Sequence, residues 1–161
     1  MDNKKKGRNV MYKKSIIHYI SKVVIDLLFY LSIIATLLVP VWSVHLFEWI
    51  GYKTQGYLIP FSVIIFFSGA CCVYILFNLK QMFRSLLDGN PFTEKNVNHF
   101  RKISVSCSLI AFIYLVKCFF MFTFATLVIA TVFAVGCLFC LTLKDLFKQA
   151  INYKAENDLT I

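Results

Sequence analysis

The sequence predicts an all-α polytopic membrane protein with four transmembrane helices and both termini in the cytoplasm. Three observations support this fold class: four long apolar stretches, a very hydrophobic composition, and positive residues that are concentrated in alternate connections. Of the 161 residues, 59% are hydrophobic and only 16% are charged. A soluble core of this length needs less apolar surface, so we expect lipid to cover the remainder.

The apolar stretches define the predicted helices, which cover residues 23–44, 57–79, 103–121 and 124–143. An α-helix rises about 1.5 Å per residue, so about 20 apolar residues cross a hydrocarbon core about 30 Å thick. Each stretch has about that length. We therefore expect one four-helix membrane domain over 1–161, with a basic segment at 1–22, a cytoplasmic connection at 80–102 and a cytoplasmic tail at 144–161.

The positive residues predict the orientation of the helices. Of the 17 Lys and Arg residues, all but Lys53 and Lys117 lie before the first helix, between the second and third, or after the fourth. Cytoplasmic connections of membrane proteins carry such an excess. Four aromatic residues cluster around the first connection, on the predicted outer side, where amphipathic rings settle at the level of the headgroups: Trp42, Trp49, Tyr52 and Tyr57.

The first helix is predicted to be an uncleaved signal anchor. The basic region before it is long, the apolar stretch exceeds a typical signal core, and no small-x-small cleavage site follows Pro40. The basic segment should attract anionic lipids of the bilayer. Because a membrane span follows directly, direct nucleic-acid binding is not expected.

The third and fourth helices require a turn between them. A single helix over residues 103–143 would extend about 60 Å, which is twice the hydrocarbon core, so we expect the turn near Phe122 and Thr123. Small residues recur at about four-residue spacing, and such faces let membrane helices approach closely. They are Ser104, Ser108 and Ala111 in the third helix and Thr126, Ala130 and Ala134 in the fourth.

Two charged residues, Asp26 and Lys117, lie within the predicted spans. Asp26 is about one turn inside the cytoplasmic end and Lys117 is near the opposite face, so the two cannot pair. A shallow structural carboxylate and a coupling or partner-binding carboxylate both remain open for Asp26. The expected neighbours are Lys22, Arg101 or Lys102 for Asp26, and Glu48 or His45 for Lys117.

The residue types that perform catalysis or hold metals form no recognisable pattern. All six cysteines fall in apolar stretches, and the CxxC spacing of Cys137 and Cys140 lies in the middle of a helix. The three histidines lie in separate flanking regions, and no paired carboxylates or phosphate-binding loop occur. We therefore expect a non-enzymatic protein with no catalytic, cofactor or metal site.

The cytoplasmic connection contains strong local signals. Residues 80–87 should continue the second helix, and Gly89 can adopt the left-handed conformation that closes it. Pro91 breaks the chain, and Thr93 is the predicted N-cap of a helix that leads to the third span. Phe92 is expected to dip into the bundle or the lipid.

Two motifs carry a resemblance to a known family. Asp-Gly-Asn-Pro-Phe-Thr-Glu-Lys-Asn at 88–96, followed by Arg101 and Lys102, resembles the "domain of unknown function 2975" family of small bacterial four-helix membrane proteins. Residues 156–161, Glu-Asn-Asp-Leu-Thr-Ile, resemble the terminal signature of that family. Residues 152–154 depart from it, because acidic or amide residues are more usual there.

The resemblance implies no established activity, but it implies a partner. Members of this family are often encoded beside a small helix-turn-helix transcription regulator, which makes such a regulator a candidate cytoplasmic partner. The leading hypothesis is therefore a non-enzymatic interaction or regulatory protein of the cell membrane. Its candidate interaction motif comprises Gly89, Asn90, Pro91, Phe92 and Thr93 together with Glu156, Asn157, Asp158 and Leu159.

Two alternatives remain open from the sequence. The end at 158–161 would either add as a strand to a partner sheet or cap the protein's own connection through Asp158 near Arg84, Arg101 or Lys102. A different class of function is a small transporter, permeability factor or immunity-type protein. Its polar lining would require a homo-oligomer, because no charge lies near the middle of helices two to four.

Overall fold

The computed structural model describes residues 16–49, 58–89, 91–120 and 122–159. They form four α-helices, which are α1 (Ile16–Trp49), α2 (Leu58–Leu87), α3 (Glu94–Phe120) and α4 (Phe124–Leu159). All four are long and apolar enough to cross a membrane, which confirms the predicted all-α fold with four membrane-spanning helices. At about 1.5 Å per residue they extend about 40 to 54 Å, so each continues beyond a hydrocarbon core about 30 Å thick.

Local sequence explains where the helices begin and end. Pro60 lies in the first turn of α2, where its missing N–H would have no helical partner in any case. The chain leaves the helical conformation between α3 and α4, in the region where the sequence places the turn. There the carbonyl of Thr123 accepts hydrogen bonds from the N–H groups of Thr126 (2.9 Å) and Leu127 (3.3 Å).

The helices pack antiparallel in chain order, α1 on α2, α2 on α3 and α3 on α4. Near one end, Asp26 of α1 contacts Lys80 of α2, and Asn78 of α2 contacts His99 of α3. We call this end the basic end; it holds the beginning of α1, the connection from α2 to α3 and the end of α4. The opposite end holds the end of α1, the beginning of α2 and the turn between α3 and α4.

Helix α1 lies at the periphery of the bundle. Among the described residues, no Cα atom of α1 comes within 8 Å of a Cα atom of α3 or α4. Many of its large apolar side chains are exposed, among them Leu27, Leu31, Ile34, Leu37 and Val41. A soluble protein rarely exposes so large an apolar surface, so these side chains require lipid around them.

The core lies between α2, α3 and α4, toward the basic end. Its buried members are Met82, Phe100, Ile103 and Cys107. Partly buried side chains of α4 pack against them, namely Phe133, Cys137, Cys140, Leu143 and Phe147. Three of these four buried residues, Phe100, Ile103 and Cys107, belong to α3, which is the most buried of the four spans.

The small residues that the sequence places at helix interfaces are only partly buried. Ser104, Ala111, Thr126 and Ala130 are buried, in agreement with close packing of α3 and α4, whereas Ser108 and Ala134 are exposed. A step of four residues is longer than one turn of 3.6 residues, so successive side chains are rotated around the helix and only part of each stripe reaches the neighbouring helix.

A close approach between α1 and α2 involves a residue that the sequence analysis did not single out. A Cβ atom added to Gly69 of α2 would lie 2.7 Å from the Oγ1 of Thr36 in α1. Glycine therefore allows the two helices to approach at this point, as small residues do at interfaces in membranes.

Candidate functional site

Helix α2 ends in a turn that requires glycine. The N–H of Asp88 donates to the carbonyl of Arg84 (3.0 Å), and the N–H of Gly89 donates to that of Leu86 (3.2 Å). Gly89 has a φ of 86°, in the left-handed region that other residues rarely adopt. A Cβ there would meet nothing within 4 Å, so it is the backbone conformation, rather than space, that calls for glycine.

Asn96 bridges the end of α2 and the beginning of α3. Its side chain is 3% exposed, and its Nδ2 donates to the carbonyl of Pro91 (2.6 Å) and to the Oγ of Ser85 (3.3 Å). These bonds hold the proline against both helices. The sequence motif contains Asn96 but does not reveal this bridge, because the partner Ser85 lies on the preceding helix.

Thr93 precedes α3 at the predicted N-cap position. Its carbonyl accepts hydrogen bonds from the N–H groups of Asn96 (3.0 Å) and Val97 (3.3 Å). Its Oγ1 is buried and has no hydrogen-bond partner among the residues that the structure describes. The position thus matches the expectation, whereas the side-chain capping bond is not formed, since the Oγ1 does not accept from the first turn.

Phe92 joins the connection to α4. Its ring centroid lies 5.4 Å from that of Phe147, which in turn lies 5.0 Å from that of Phe100 in α3. Phe92 remains 48% exposed, so it covers the bundle on one side and faces outward on the other. These contacts among three tilted rings place the connection and the end of α4 side by side.

The tail continues α4 as a helix through Leu159. Its exposed surface includes Leu146 and Tyr153, which are seven residues apart and therefore share one face of the helix. Glu156 and Asn157 are also exposed. The helical backbone at 158–159 differs from the extended conformation that strand addition needs, because the helix has not ended there.

Part of the candidate motif lies outside the described residues. This applies to Asn90, Thr160 and Ile161, and to the side chains of Asp158 and Leu159. The expected contact of Asp158 with Arg84, Arg101 or Lys102 therefore lies outside the described part of the chain.

Asp26 pairs with Lys80 rather than with Lys22, Arg101 or Lys102. The Lys80 Nζ lies 3.1 Å from the Asp26 Oδ1, and both side chains are 31% exposed. The same ammonium lies 5.1 Å from the ring centroid of Phe29 and 4.9 Å from that of Tyr30. Because α1 contacts α2 but not α3, a cation on α2 is within reach and those on α3 are not. The pair connects α1 to α2 at the basic end.

Lys117 contacts aromatic rings instead of an acidic side chain. Its Nζ lies 4.9 Å from the ring centroid of Phe61 and 5.8 Å from that of Tyr114, distances at which cation–π attraction operates. The expected neighbours Glu48 and His45 instead lie on the peripheral α1, where their side chains approach each other to 4.0 Å. The structure thus keeps Asp26 and Lys117 apart, as their positions in the sequence predict.

Asn78 and His99 form a polar contact between α2 and α3. Asn78 is 1% exposed; its Nδ2 donates to the carbonyl of Tyr74 (2.8 Å), and its Oδ1 lies 2.8 Å from the Nδ1 of His99. Because an amide oxygen can only accept a hydrogen bond, the Nδ1 of His99 is the donor and carries the proton. Sequence reasoning missed this pair, although a polar residue near the end of an apolar stretch was a signal for it.

We expect Asn78 and His99 to be coupled in stability. In a double-mutant cycle with Asn78→Ala and His99→Ala, the coupling energy should be about 0.6 kcal/mol and not above about 1.7 kcal/mol, as for other hydrogen bonds between membrane helices. Unfolding in detergent micelles, followed by circular dichroism, measures it. The pair Asn78→Ala and Asn98→Ala is the control without a contact, and a cycle that gave the same value for both pairs would contradict the hydrogen bond.

The basic end presents exposed aromatic and apolar side chains beside the connection and the tail. Among the described residues, no group of three or more His, Cys, Asp or Glu side chains lies close enough to hold a metal ion. The connection and the tail offer exposed aromatic and apolar side chains, Phe92, Leu146 and Tyr153, on ordered helices and turns. Such side chains are typical of protein interfaces.

Comparison with known proteins gives one match. The family model described as "Protein of unknown function (DUF2975)" matches residues 15–161, a range that contains all four helices, the connection and the tail. No curated protein and no solved structure matches the chain. With four membrane-spanning helices and a match over nearly its whole length, the chain belongs to the DUF2975 family.

Proposed function

We propose that this multi-pass protein is a non-enzymatic interaction or regulatory protein of the bacterial cell membrane, with both termini in the cytoplasm. Its basic end would bind a soluble partner through the loop–tail surface, which comprises residues 89–93 and the exposed face of residues 144–157. The observation that carries this proposal is the contact of Phe92 with Phe147, because it makes one continuous surface of two segments that are distant in sequence.

The distribution of charge supports the cytoplasmic orientation. The described positive residues at the basic end are Lys22 of α1, Lys80 and Arg84 of α2, Lys95, Arg101 and Lys102 of α3, and Lys144, Lys148 and Lys154 of α4. In the sequence, six further Lys and Arg residues precede α1. Membrane proteins retain such residues on the cytoplasmic side. In this orientation, the loop–tail surface is accessible to a soluble cytoplasmic protein.

The exposed side chains of the surface suit a partner that has an apolar groove between its own helices. Leu146 and Tyr153 lie on one exposed face of a helix that continues beyond the apolar span, and a helix of this kind binds in an apolar groove of a partner. Phe92 adds an aromatic side chain at the edge. The helices of a small helix-turn-helix regulator can form such a groove. We therefore propose a regulator of this kind as the candidate partner.

The test compares the intact chain with two alanine substitutions of aromatic residues on α4 and with a truncated chain. Full-length protein is purified from native membranes, and binding of the purified candidate regulator is then measured in detergent micelles. We expect Tyr153→Ala to weaken binding at least tenfold and truncation after Ala155 to weaken it further. The matched control is Phe139→Ala, an aromatic side chain of similar exposure in the membrane span of the same helix, which should bind as the intact chain does.

Equal binding by the intact chain, Tyr153→Ala and the truncated chain would refute the loop–tail surface as the binding site. Loss of binding in Phe139→Ala to the same extent would show that the substitution acts on the helix as a whole.

A further inference from the structure

A groove runs between α2 and α3 on the outside of the bundle, near the basic end, with a volume of about 500 Å³. Its mouth is formed by Asn98, Arg101 and Lys102 of α3. Its deeper part is formed by Val105 and Leu109 of the same helix and by Cys71 and Tyr74 of α2. Among the described residues, none of α1 or α4 lines it, so the groove faces the surroundings of the bundle.

The polar and apolar parts of the groove are separated along the helix axis. Asn98, Lys102, Val105 and Leu109 are four, three and four residues apart, so they form one stripe along α3. From Lys102 to Leu109 this stripe descends about 10 Å from the positive mouth into the apolar span. Ser106 also lines the groove, but its hydroxyl donates to the carbonyl of Lys102 (3.1 Å). Apart from the hydroxyl of Tyr74, the side chains of the deeper part are therefore apolar or already bonded.

No acidic side chain among the described residues neutralises the charges at the mouth. Arg101 and Lys102 are exposed, and within the described ranges neither forms a salt bridge with an acidic side chain. Lys80 and Lys144, at the same end of the bundle, do have such partners in Asp26 and Asp145. Two adjacent positive groups above an apolar groove complement a ligand that has an anionic head and a hydrocarbon chain.

We propose that this groove binds one anionic phospholipid of the adjacent leaflet. The phosphate would lie between Arg101 and Lys102, where a guanidinium can donate two parallel hydrogen bonds, and the amide of Asn98 can donate to the rest of the headgroup. One acyl chain would lie along Val105 and Leu109 toward Cys71. Basic pockets between membrane helices bind anionic headgroups in this manner. The site is separate from the loop–tail surface and does not depend on the proposed function.

The test measures phospholipid binding to the full-length protein by native mass spectrometry from detergent micelles, with phosphatidylglycerol and phosphatidylcholine as the probes. We expect the intact chain to retain one phosphatidylglycerol at least tenfold more strongly than phosphatidylcholine. The variant Arg101→Gln/Lys102→Gln should lose this preference. The matched control, Arg84→Gln/Lys95→Gln, removes one Arg and one Lys from the same end but outside the groove, and it should change binding less than twofold.

A second variant tests the groove without changing any charge. Val105→Trp should fill the apolar part and weaken retention of phosphatidylglycerol at least fivefold; because Val105 is 54% exposed, the larger side chain leaves the helix packing intact. Circular dichroism checks that each variant is folded. Inorganic phosphate in millimolar excess should not displace the lipid, since it lacks the chain.

Three results would overturn the proposal. Equal losses in the two double-glutamine variants would mean general attraction to a basic surface, and undiminished binding by Val105→Trp would mean that no chain lies in the groove. Displacement by inorganic phosphate would assign the mouth to a free anion.

Discussion

Replacing Gly69 with alanine is expected to lower the free energy of unfolding by about 2 kcal/mol, within the range for an overpacked interior site. The new Cβ would lie 2.7 Å from the Oγ1 and 3.0 Å from the Cγ2 of Thr36, which is closer than real contacts allow. Thr36 has little freedom to rotate away, because its Oγ1 donates to the carbonyl of Ser32 (2.8 Å). Helix α1, which contacts only α2 within the described residues, would have to move outward.

A second glycine in the bundle supplies the control for this experiment. A Cβ on Gly136 of α4 would meet only the Sγ of Cys107, at 4.0 Å, so Gly136→Ala should lose no stability and benefit from the higher helix propensity of alanine. Thr36→Ala combined with Gly69→Ala should recover most of the loss, since the crowded atoms are removed. Thermal unfolding in detergent micelles compares the variants, and equal stability of Gly69→Ala and Gly136→Ala would disprove the close approach of α1 and α2.

Replacing Phe147 with alanine is expected to cost about 3 kcal/mol and to release the connection at the basic end. Removal of a packed aromatic ring costs about 3 to 5 kcal/mol, and the partial exposure of Phe147 places the expected value at the lower limit. The substitution removes the ring contacts with both Phe92 and Phe100. Unfolding in micelles measures the stability, and limited proteolysis at residues 88–93 measures the release of the connection.

Tyr153→Ala is the matched control on the same helical extension. Tyr153 is 66% exposed, so its removal should change stability by less than about 0.5 kcal/mol and leave the rate of proteolysis unchanged. The two variants separate packing from recognition: Phe147→Ala should lose stability and partner binding together, whereas Tyr153→Ala should lose partner binding alone. If Phe147→Ala were as stable as Tyr153→Ala, the joint surface of connection and tail would not exist.

The candidate site was predictable in its parts but not in its assembly. The sequence indicates the glycine turn at Gly89 and the beginning of α3 after Thr93, because turn and cap preferences depend on neighbouring residues alone. The bridge from Asn96 to Ser85 and the contact of Phe92 with Phe147 depend on how two helices face each other. No spacing within one segment contains that information.

The sequence by itself determined that this protein has membrane-spanning helices, how many there are, and to which family it belongs. Hydropathy, span length and motifs are properties of consecutive residues. Only the tertiary structure decided that Asp26 pairs with Lys80 and that Gly69 allows α1 to approach α2. It also decided that Arg101 and Lys102 lie at the mouth of an apolar groove. The physical reason is that lipid solvates every apolar helix face with similar free energy, so hydropathy does not specify which faces meet. Contacts between helices depend on the rotation of each helix about its axis and on their relative height in the membrane.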